Sequence, residues 1–308
     1  MNLIVLAVSC VAAWAVTGAL VSLLRRAGTL DVPNARSSHH VPTPRGGGLG
    51  ILAGCAAGAL AARWLGMPLP GIALFLGAGL VALVGLVDDR LKGGLPAWLR
   101  LALQCVAAGG VVFSVGGLPR LSLPEPLNLP LGALAAPAAI FWIVAVTNLY
   151  NFLDGIDGYA GLQGVVAGLA LALLDQSGQL AGTGLAVAGA CAGFLFHNWH
   201  PARVFMGDVG SGALGFTLAA LPLTLPQQAR GGAVFVTLLC LWFFLSDGTF
   251  TILRRLVRGE KVWEAHRSHL YQRLVQTGLR HDQVALRVGA AAAGVAAPSA
   301  LAGRAGNT

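Results

Sequence analysis

Long apolar stretches alternate with short polar segments along the whole chain, and this pattern predicts membrane-spanning helices. The apolar runs are continuous rather than alternating, and most approach the roughly 20 residues that a helix needs to cross a bilayer. The predicted spans, ten to within one helix, are 2–24, 49–65, 69–87, 98–115, 131–147, 160–174, 180–196, 212–225, 232–253 and 284–301.

Composition agrees with the pattern. The 308 residues are 56% hydrophobic and 10% charged, with a mean hydropathy of +0.73, whereas a soluble domain carries about 25% charged residues. We therefore expect an all-α polytopic integral membrane protein with one transmembrane domain over residues 1–308. No basic segment precedes the first span, so we interpret that span as a retained helix rather than a cleaved signal.

The charges divide unequally between the predicted loops. Of the 20 Lys and Arg residues, sixteen lie in or beside the odd-numbered loops, which therefore face the cytoplasm, and both termini face out. Ten of the 12 acidic residues lie at the same loops, and only Glu125 and Asp175 lie on the outer side. The net charge of +8 reflects this bias. It does not indicate nucleic-acid binding, because no soluble basic domain is present.

The first cytoplasmic loop, "DVPNARSSHHVPTPRGGGLGI", is rich in proline, glycine and cations. Its prolines exclude a continuous helix, and the glycines at 46–48 allow the backbone to approach a ligand closely. Arg36, His39, His40 and Arg45 are candidate donors to a phosphate group. An ordinary basic juxtamembrane loop explains the same residues equally well.

Asp88 and Asp89 close the third predicted span in "LVGLVDDRLKGG". Adjacent carboxylates at a membrane boundary repel each other unless a cation or a proton compensates their charge. Mg²⁺ is a suitable cation, since it binds one or two carboxylates together with phosphate oxygens. Two solvated acids balanced by Arg90 and Lys92 are the alternative.

The segment "TNLYNFLDGIDGYAG" carries Asn148, Asn151, Asp154 and Asp157 at intervals of three residues. On a helix, this spacing places two amides and two carboxylates on one face as the chain leaves the lipid. We find no structural purpose for such a row. The segment also lacks the final Glu of a calcium-binding loop, so we expect it to bind a substrate.

Asp208 lies between glycines in "FHNWHPARVFMGDVGSGALG", just before the eighth predicted span. This arrangement suits a metal ion on the carboxylate and a phosphate on the backbone amides. Phe205 is suited to stacking on a base and equally to core packing. His197 and His200 are open to either a structural or a ligating role.

The ninth loop contains "EAHRSHLYQRL", with His266 and His269 one helical turn apart. No third protein ligand for zinc is evident near this histidine pair. With Arg267 and Arg273 close by, a cationic clamp on a diphosphate fits the segment better.

Five motifs, "PTPRGGG", "DDRLK", "NLYNFLDGIDGYAG", "FMGDVGS" and "AHRSHLYQRL", occur in this order on alternate loops. Together they resemble the polyprenyl-phosphate N-acetylhexosamine-1-phosphate transferases, a superfamily that includes WecA, TagO, WbpL and MraY. The segment "AHRSH" is closer to the WbpL and WecA side, because MraY carries three consecutive histidines there.

The resemblance implies transfer of a sugar-1-phosphate from a UDP-N-acetylhexosamine to undecaprenyl phosphate, with release of UMP. The sugar would be N-acetylglucosamine or a relative such as N-acetylfucosamine or N-acetylquinovosamine, in the first membrane step of O-antigen or other envelope glycan synthesis. It also implies Mg²⁺ as cofactor, with Mn²⁺ as a substitute, and a bacterial cytoplasmic membrane location with the active site facing the cytoplasm. It leaves room for a homodimer.

The resemblance and the motifs together suggest roles for individual residues. Asp208 would bind the metal with Asp88, which would also act as base or positioning group for the lipid phosphate, assisted by Asp89. The remaining candidates would bind substrate: Arg45 at phosphate, Asn148, Asn151, Asp154 and Asp157 at the nucleotide, Asn198 and Phe205 at uracil or ribose, and His266, Arg267 and His269 at the diphosphate or sugar.

Three alternatives compete with this hypothesis. Within the superfamily, the chain could be a phospho-N-acetylmuramoyl-pentapeptide translocase. An ion-coupled transporter is a second alternative, but its acids are expected near the bilayer midplane and not at loop edges. The CDP-alcohol phosphotransferases also use clustered Asp residues, but "DGIDGYAG" lacks their Ala-Arg pair.

Overall fold

A computed structural model describes residues 2–33, 38–39, 41–91, 93–121, 128–175, 178–261 and 267–305. Five residues named above lie outside these described ranges: Arg36, His40, Lys92, Glu125 and His266.

The described chain is mainly helical, and its helices are numbered α1 to α12 in chain order. They are Leu3–Arg26, Gly48–Trp64, Ile72–Arg90, Ala97–Val115, Ala135–Phe152, Tyr159–Leu174, Ala181–Asn198, Asp208–Ala220, Gln227–Cys240, Trp242–Val257, Leu270–Gln276 and His281–Ala305. Two short antiparallel hairpins pair β1 (Leu30–Asp31) with β2 (Thr43–Pro44), and β3 (Arg120–Leu121) with β4 (Leu129–Pro130).

The helices agree with a multi-pass membrane protein. Within the described residues, five helices are long and apolar enough to cross a bilayer, or six if one bent pair counts as a single span. The helices α2 and α6 are also apolar but shorter. The predicted number of ten spans and the predicted orientation of the termini therefore stay predictions.

The ninth predicted span, 232–253, is broken in the structure. Two helices, α9 and α10, replace it, and they meet at Leu241 with a bend of 74°. α10 carries Asp247, whose fully buried side chain binds the start of α11. The prediction of one continuous helix was wrong, because it took only the apolar character of this segment into account.

The centre of the bundle is formed by α7 and α8, whose residues are mostly buried. Small residues allow the neighbouring helices to approach closely, as is usual in membrane bundles. At Gly85 of α3, an added Cβ would overlap the backbone carbonyl group of Asp208 in α8. This close approach brings the end of α3 directly against the start of α8.

The loops at one end of the bundle are joined through their backbones. Phe205 donates its amide to the Pro44 carbonyl (2.8 Å), and its own carbonyl accepts from Gly47 (2.9 Å). A Cβ at Gly47 would lie 2.8 Å from the Val204 side chain. The glycines of "PRGGG" thus allow close contact between two loops, and the predicted close approach of their backbone to a ligand stays a prediction.

Candidate active site

Asp89 holds the first turn of α8. Its Oδ1 accepts a hydrogen bond from the amide of Asp208 and its Oδ2 from the amide of Val209, each at 3.1 Å. Carboxylates are favourable at a helix N-terminus, where amides lack partners within the helix. Gly207 makes this contact possible, since a Cβ there would lie 2.6 Å from Asp89 Oδ2. Asp89 therefore orients Asp208.

Two arginines bridge the three carboxylates of this cluster. Arg45 lies 2.8 Å from Asp89 Oδ1 through its Nε and 2.6 Å from Asp208 Oδ1 through its Nη2. Arg100 Nη1 lies 3.2 Å from Asp88 Oδ2 and 3.5 Å from Asp208 Oδ2. Asp88 and Asp208 thus share one guanidinium group. The neighbouring carboxylates raise the pKa of Arg45 above its ordinary value, although burial opposes the rise.

Asn148 and Asn151 project from the last turns of α5 towards other helices. Asn148 donates to Gln104 Oε1 of α4 at 2.6 Å. Asn151 donates to the Ser211 hydroxyl of α8 at 2.8 Å. Both amides therefore hold helices around the carboxylate cluster.

Asp154 and Asp157 lie in a loop and not on the helix that carries the two asparagines. α5 ends at Phe152, and α6 begins only at Tyr159. Before α6, Gly158 has a φ of 74°, a left-handed conformation that favours glycine. The prediction that all four polar residues share one helix face was wrong, because Gly155 and Gly158 interrupt the helical pattern.

The two loop aspartates have different electrostatic surroundings. Burial raises the pKa of Asp154 to about 7, and the charges of Asp208, Asp89 and Asp157 add to the rise while Arg45 opposes it. Burial also acts to raise the pKa of Asp157, but hydrogen bonds from two histidines outweigh it and lower that pKa. The two carboxyl groups are therefore distinct in charge near neutral pH.

A cavity of about 340 Å³ opens beside the cluster. The predicted residues that line it are Arg45, Asn151, Asp154, Asp157, Asn198, Phe205 and Asp208. The Phe205 ring packs edge-on against His39, with centroids 4.7 Å apart. Asn198 joins two loops, since its Oδ1 accepts from the Gly158 amide and its Nδ2 donates to the Val204 carbonyl, both at 2.9 Å.

A smaller crevice of about 30 Å³ lies on the other side of Asp208. Its polar lining comes from Arg100, Gln104 and Asn148, and Asn151 and Asp208 line both spaces. The rest of its wall is apolar, with side chains of α3 such as Val81. The carboxylate cluster thus separates a polar cavity from a partly apolar crevice.

The predicted histidine clamp has a different local arrangement. His269 is buried, and its Nδ1 lies 3.3 Å from Asp247 Oδ1. Asp247 also accepts from the amides of Leu270 and Tyr271, at 2.8 and 3.2 Å. Among the described residues, it is Gln272 and His281 that reach the cavity wall from this part of the chain. The contact of Arg267 and His269 with a diphosphate or sugar stays a prediction.

Several residues that the sequence analysis did not select belong to the site. Arg100 and Gln104 lie four residues apart near the start of an apolar helix. This spacing places two polar side chains on one helix face, and it could have indicated that they share a site. Asp247, an acid in the interior of a predicted span, acts on the site indirectly, because it binds the start of α11 next to Gln272 of the cavity wall. Nothing in the local sequence indicates that Ser211, Gln272 or His281 faces the cavity.

The cluster contains the donor atoms that a hard divalent cation prefers. Asp88, Asp89 and Asp208 present carboxylate oxygens close together, and Mg²⁺ binds such oxygens. In the described part of the chain, two arginines, Arg45 and Arg100, form salt bridges with these three carboxylates, which leaves negative charge for a cation to neutralise. The residues fit Mg²⁺.

Comparison with curated proteins finds relatives over most of the chain. The chain is 32% identical over 259 residues to a probable undecaprenyl-phosphate N-acetylglucosaminyl 1-phosphate transferase of Bacillus subtilis strain 168, covering 82% of this chain and 72% of the relative. It is also 32% identical over 314 residues to a decaprenyl-phosphate N-acetylglucosaminephosphotransferase of Mycobacterium tuberculosis strain H37Rv, covering 88% and 74%.

A third relative has a different name. A phospho-N-acetylmuramoyl-pentapeptide-transferase of Synechococcus sp. strain JA-3-3Ab is 39% identical over 243 residues, covering 70% of this chain and 68% of the relative. The profile of glycosyl transferase family 4 matches residues 71–225, a region that includes Asp88, Asp154 and Asp208. The chain belongs to glycosyl transferase family 4.

Proposed function

We propose that this protein transfers N-acetylhexosamine-1-phosphate from a UDP-sugar to undecaprenyl phosphate, producing undecaprenyl-diphospho-sugar and UMP. The sugar is N-acetylglucosamine or a close relative, and the reaction takes place at the cytoplasmic face of a bacterial inner membrane. It is the first membrane step of O-antigen or another envelope glycan. The activities named for the two N-acetylglucosamine transferase relatives support this reaction class.

One observation carries the proposal. The carboxylates of Asp88, Asp89 and Asp208, together with Arg45 and Arg100, lie where a polar cavity meets a partly apolar crevice at one end of the bundle. A reaction between a water-soluble and a lipid-soluble phosphate compound needs such a boundary. A midplane ion site would not bring the two reactants together.

The cavity is suited to the nucleotide donor. Its lining combines hydrogen-bonding groups such as Asn151 and Gln272 with a half-buried aromatic ring, Phe205. Phe205 and Asn198 would contact uracil or ribose, and Asp154 and Asp157 the sugar hydroxyls of the nucleoside. Arg45, on the cavity wall beside Asp208, would bind the diphosphate.

The crevice is suited to the phosphate end of the lipid acceptor. Arg100 provides the positive charge, and Gln104 and Asn148 provide further hydrogen-bonding groups, next to apolar side chains of α3. Asp88 accepts from the Leu95 amide at 2.6 Å, which fixes its second oxygen towards Arg100. Asp88 is therefore placed to position the acceptor or to take its proton.

The transfer forms one bond and breaks one. An oxygen of the acceptor phosphate attacks the sugar-bearing β-phosphorus, and the oxygen bridging the two phosphorus atoms leaves with UMP. Reactions of this type depend mainly on alignment and on neutralisation of charge on the phosphate oxygens. Arg45 and Arg100 flank Asp208 from the two spaces, so they can hold the reacting groups in line.

Asp208 and Asp88 would hold Mg²⁺, with Asp89 fixing the orientation of Asp208 through the first turn of α8. A bound Mg²⁺ supplies neutralisation of negative charge on the diphosphate.

The test is release of UMP by the purified protein in detergent, given undecaprenyl phosphate, Mg²⁺ and a panel of UDP-N-acetylhexosamines. We expect UMP release that requires both substrates and falls by about 10²-fold or more in Asp208→Asn. Asp175→Asn, an acid after the far end of α6, is the matched control and should retain activity. Lack of UMP release with every donor, or full activity of Asp208→Asn, would refute the proposal.

The 39% identity to a phospho-N-acetylmuramoyl-pentapeptide-transferase supports one second candidate donor, UDP-N-acetylmuramoyl-pentapeptide. The two relatives with larger coverage of this chain carry the N-acetylglucosamine name instead. Including the muramoyl nucleotide in the same panel decides between the two donors.

A further inference from the structure

Two histidines converge on one carboxylate oxygen at the wall of the cavity. His200 Nδ1 lies 2.7 Å from Asp157 Oδ2, and His281 Nδ1 lies 3.2 Å from the same oxygen. The three candidate ligand atoms lie within 4.8 Å of one another. The Ala202 amide donates to Asp157 Oδ2 at 3.2 Å, and the Asp157 amide nitrogen lies 3.3 Å from His281 Nδ1.

The three residues come from separate segments of the chain. Asp157 lies in the loop between α5 and α6, His200 in the loop between α7 and α8, and His281 is the first residue of α12. Asp157 and His281 are each 6% exposed, which is unusual for groups that can carry charge. An unprotonated imidazole nitrogen facing a carboxylate oxygen is repelled by it unless a proton or a cation lies between them.

Two imidazole nitrogens and one carboxylate oxygen are a ligand set for zinc. Zinc lies about 2.0–2.2 Å from such atoms in tetrahedral sites, so its ligands are about 3.3–3.5 Å apart. The observed 3.2 Å matches this spacing, and the 2.7 Å pair would need to open by about 0.6 Å. This nitrogen-containing set differs from the carboxylate cluster at Asp208, which suits a hard cation.

We propose that Asp157, His200 and His281 form a binding site for a transition-metal cation of the zinc type. Three protein ligands leave a fourth position open, and because Asp157 and His281 line the cavity, that position faces it. A bound cation joins three segments and occupies the carboxylate assigned above to the nucleotide. The effect on nucleotide binding rests on the proposed function, whereas metal binding itself does not.

Cobalt titration tests the site without any substrate. The full-length protein is purified in detergent with a tag that contains no histidine, treated with a chelator, and titrated with Co²⁺. Tetrahedral Co²⁺ absorbs much more strongly in the visible range than octahedral Co²⁺. We expect one equivalent with the tetrahedral spectrum, and displacement of that spectrum by Zn²⁺.

Single substitutions identify the ligands. His200→Ala and His281→Ala should each lose the tetrahedral spectrum, whereas His39→Ala, at another part of the same cavity wall, should keep it. His200 is 31% exposed through its side chain, so its removal disturbs packing least, and an unchanged melting temperature of His200→Ala verifies that the fold is intact.

An octahedral spectrum alone, or a tetrahedral spectrum that survives in His200→Ala, would overturn the proposal and leave a hydrogen-bonded cluster in its place. A protein that binds Co²⁺ as expected but releases no UMP would refute the proposed transferase function and not the metal site.

Discussion

Arg100 lies between two carboxylates, 3.2 Å from Asp88 Oδ2 and 3.5 Å from Asp208 Oδ2, at the wall of the crevice. If this crevice holds the acceptor phosphate, Arg100→Gln removes a charge-assisted contact to that substrate. Such a contact contributes about 1.5–3 kcal/mol, so kcat/KM for undecaprenyl phosphate should fall about 10- to 100-fold. The measurement is initial-rate kinetics with each substrate varied in turn.

The control for Arg100 is Arg90→Gln, an exposed arginine at the end of α3. It should leave both KM values near those of the unmodified protein. If Arg100→Gln raised only the KM for the UDP-sugar, the assignment of the crevice to the lipid phosphate would be contradicted. That result is expected for a residue that binds the nucleotide donor in the cavity.

Asp154 makes the stability of the substrate-free protein depend on pH. Its folded-state pKa of about 7 lies above the ordinary value of 3.8. Between these values, the carboxyl is ionised in the unfolded chain and protonated in the folded one, so folding binds a proton. The contribution of Asp154 to the free energy of unfolding is therefore complete below pH 4 and is lost as the pH rises through 7.

The prediction for Asp154 is a smaller decrease in melting temperature between pH 5 and 7 in Asp154→Asn than in the unmodified protein. Both are measured in detergent with a chelator present, so that no divalent cation binds the cluster. Asp175→Asn serves as the reference and should retain the steeper decrease. If the melting temperatures of Asp154→Asn and the unmodified protein changed with pH in the same way, the Asp154 carboxyl would not be the group that makes stability depend on pH.

At the scale of elements, the contact of α3 with α8 determines the geometry of the carboxylates. Gly85 faces the Asp208 backbone with no space for a Cβ, whereas Gly79, two turns earlier in α3, has open space around it. Gly85→Ala should therefore separate the helices and displace Asp88 and Asp89 from Asp208. We expect a loss of stability of about 1–3 kcal/mol and a larger loss of kcat than of substrate affinity.

Gly79→Ala is the matched substitution in the same helix, and it should leave kcat unchanged and should not lower the melting temperature. The comparison excludes a general effect of alanine on α3. If Gly85→Ala retained full kcat, the carboxylates would tolerate displacement, and the close helix approach would have no catalytic role.

The helices themselves were largely predictable, because each apolar run carries its own signal. The start of α2 and the end of α4 agree with the predicted spans to within one residue. The bend between α9 and α10 was not predictable, since no proline or glycine marks the junction at Leu241. The bend coincides with tertiary contacts that the local sequence does not contain, such as the hydrogen bond from the Leu270 amide at the start of α11 to Asp247 of α10.

At the scale of the whole molecule, the sequence indicated which loops share one end but not which side chains meet. Asp88, Asp154 and Asp208 were selected from their positions at loop edges, and the structure brings them to one site. Arg100, Gln104 and His281 entered the site only through packing of helices distant in sequence. Such pairing depends on side-chain direction and helix rotation, which hydropathy does not contain.

The orientation of the molecule in the membrane is open to a direct test. The excess of Lys and Arg at the active-site end predicts that this end faces the cytoplasm. The exposed residues Arg90, at the end of α3, and Arg63, at the end of α2, lie at opposite ends of the bundle. Each can be replaced by cysteine after the five native cysteines are changed to alanine.

A membrane-impermeant maleimide applied to intact bacterial cells with a permeabilised outer membrane should label Arg63→Cys and not Arg90→Cys. In inside-out vesicles the pattern should reverse, because the cytoplasmic surface is then exposed to the reagent. Labelling of Arg90→Cys from outside would place the carboxylate cluster on the external side. A UDP-sugar made in the cytoplasm could not reach it there, so this one result would contradict both the orientation and the proposed donor.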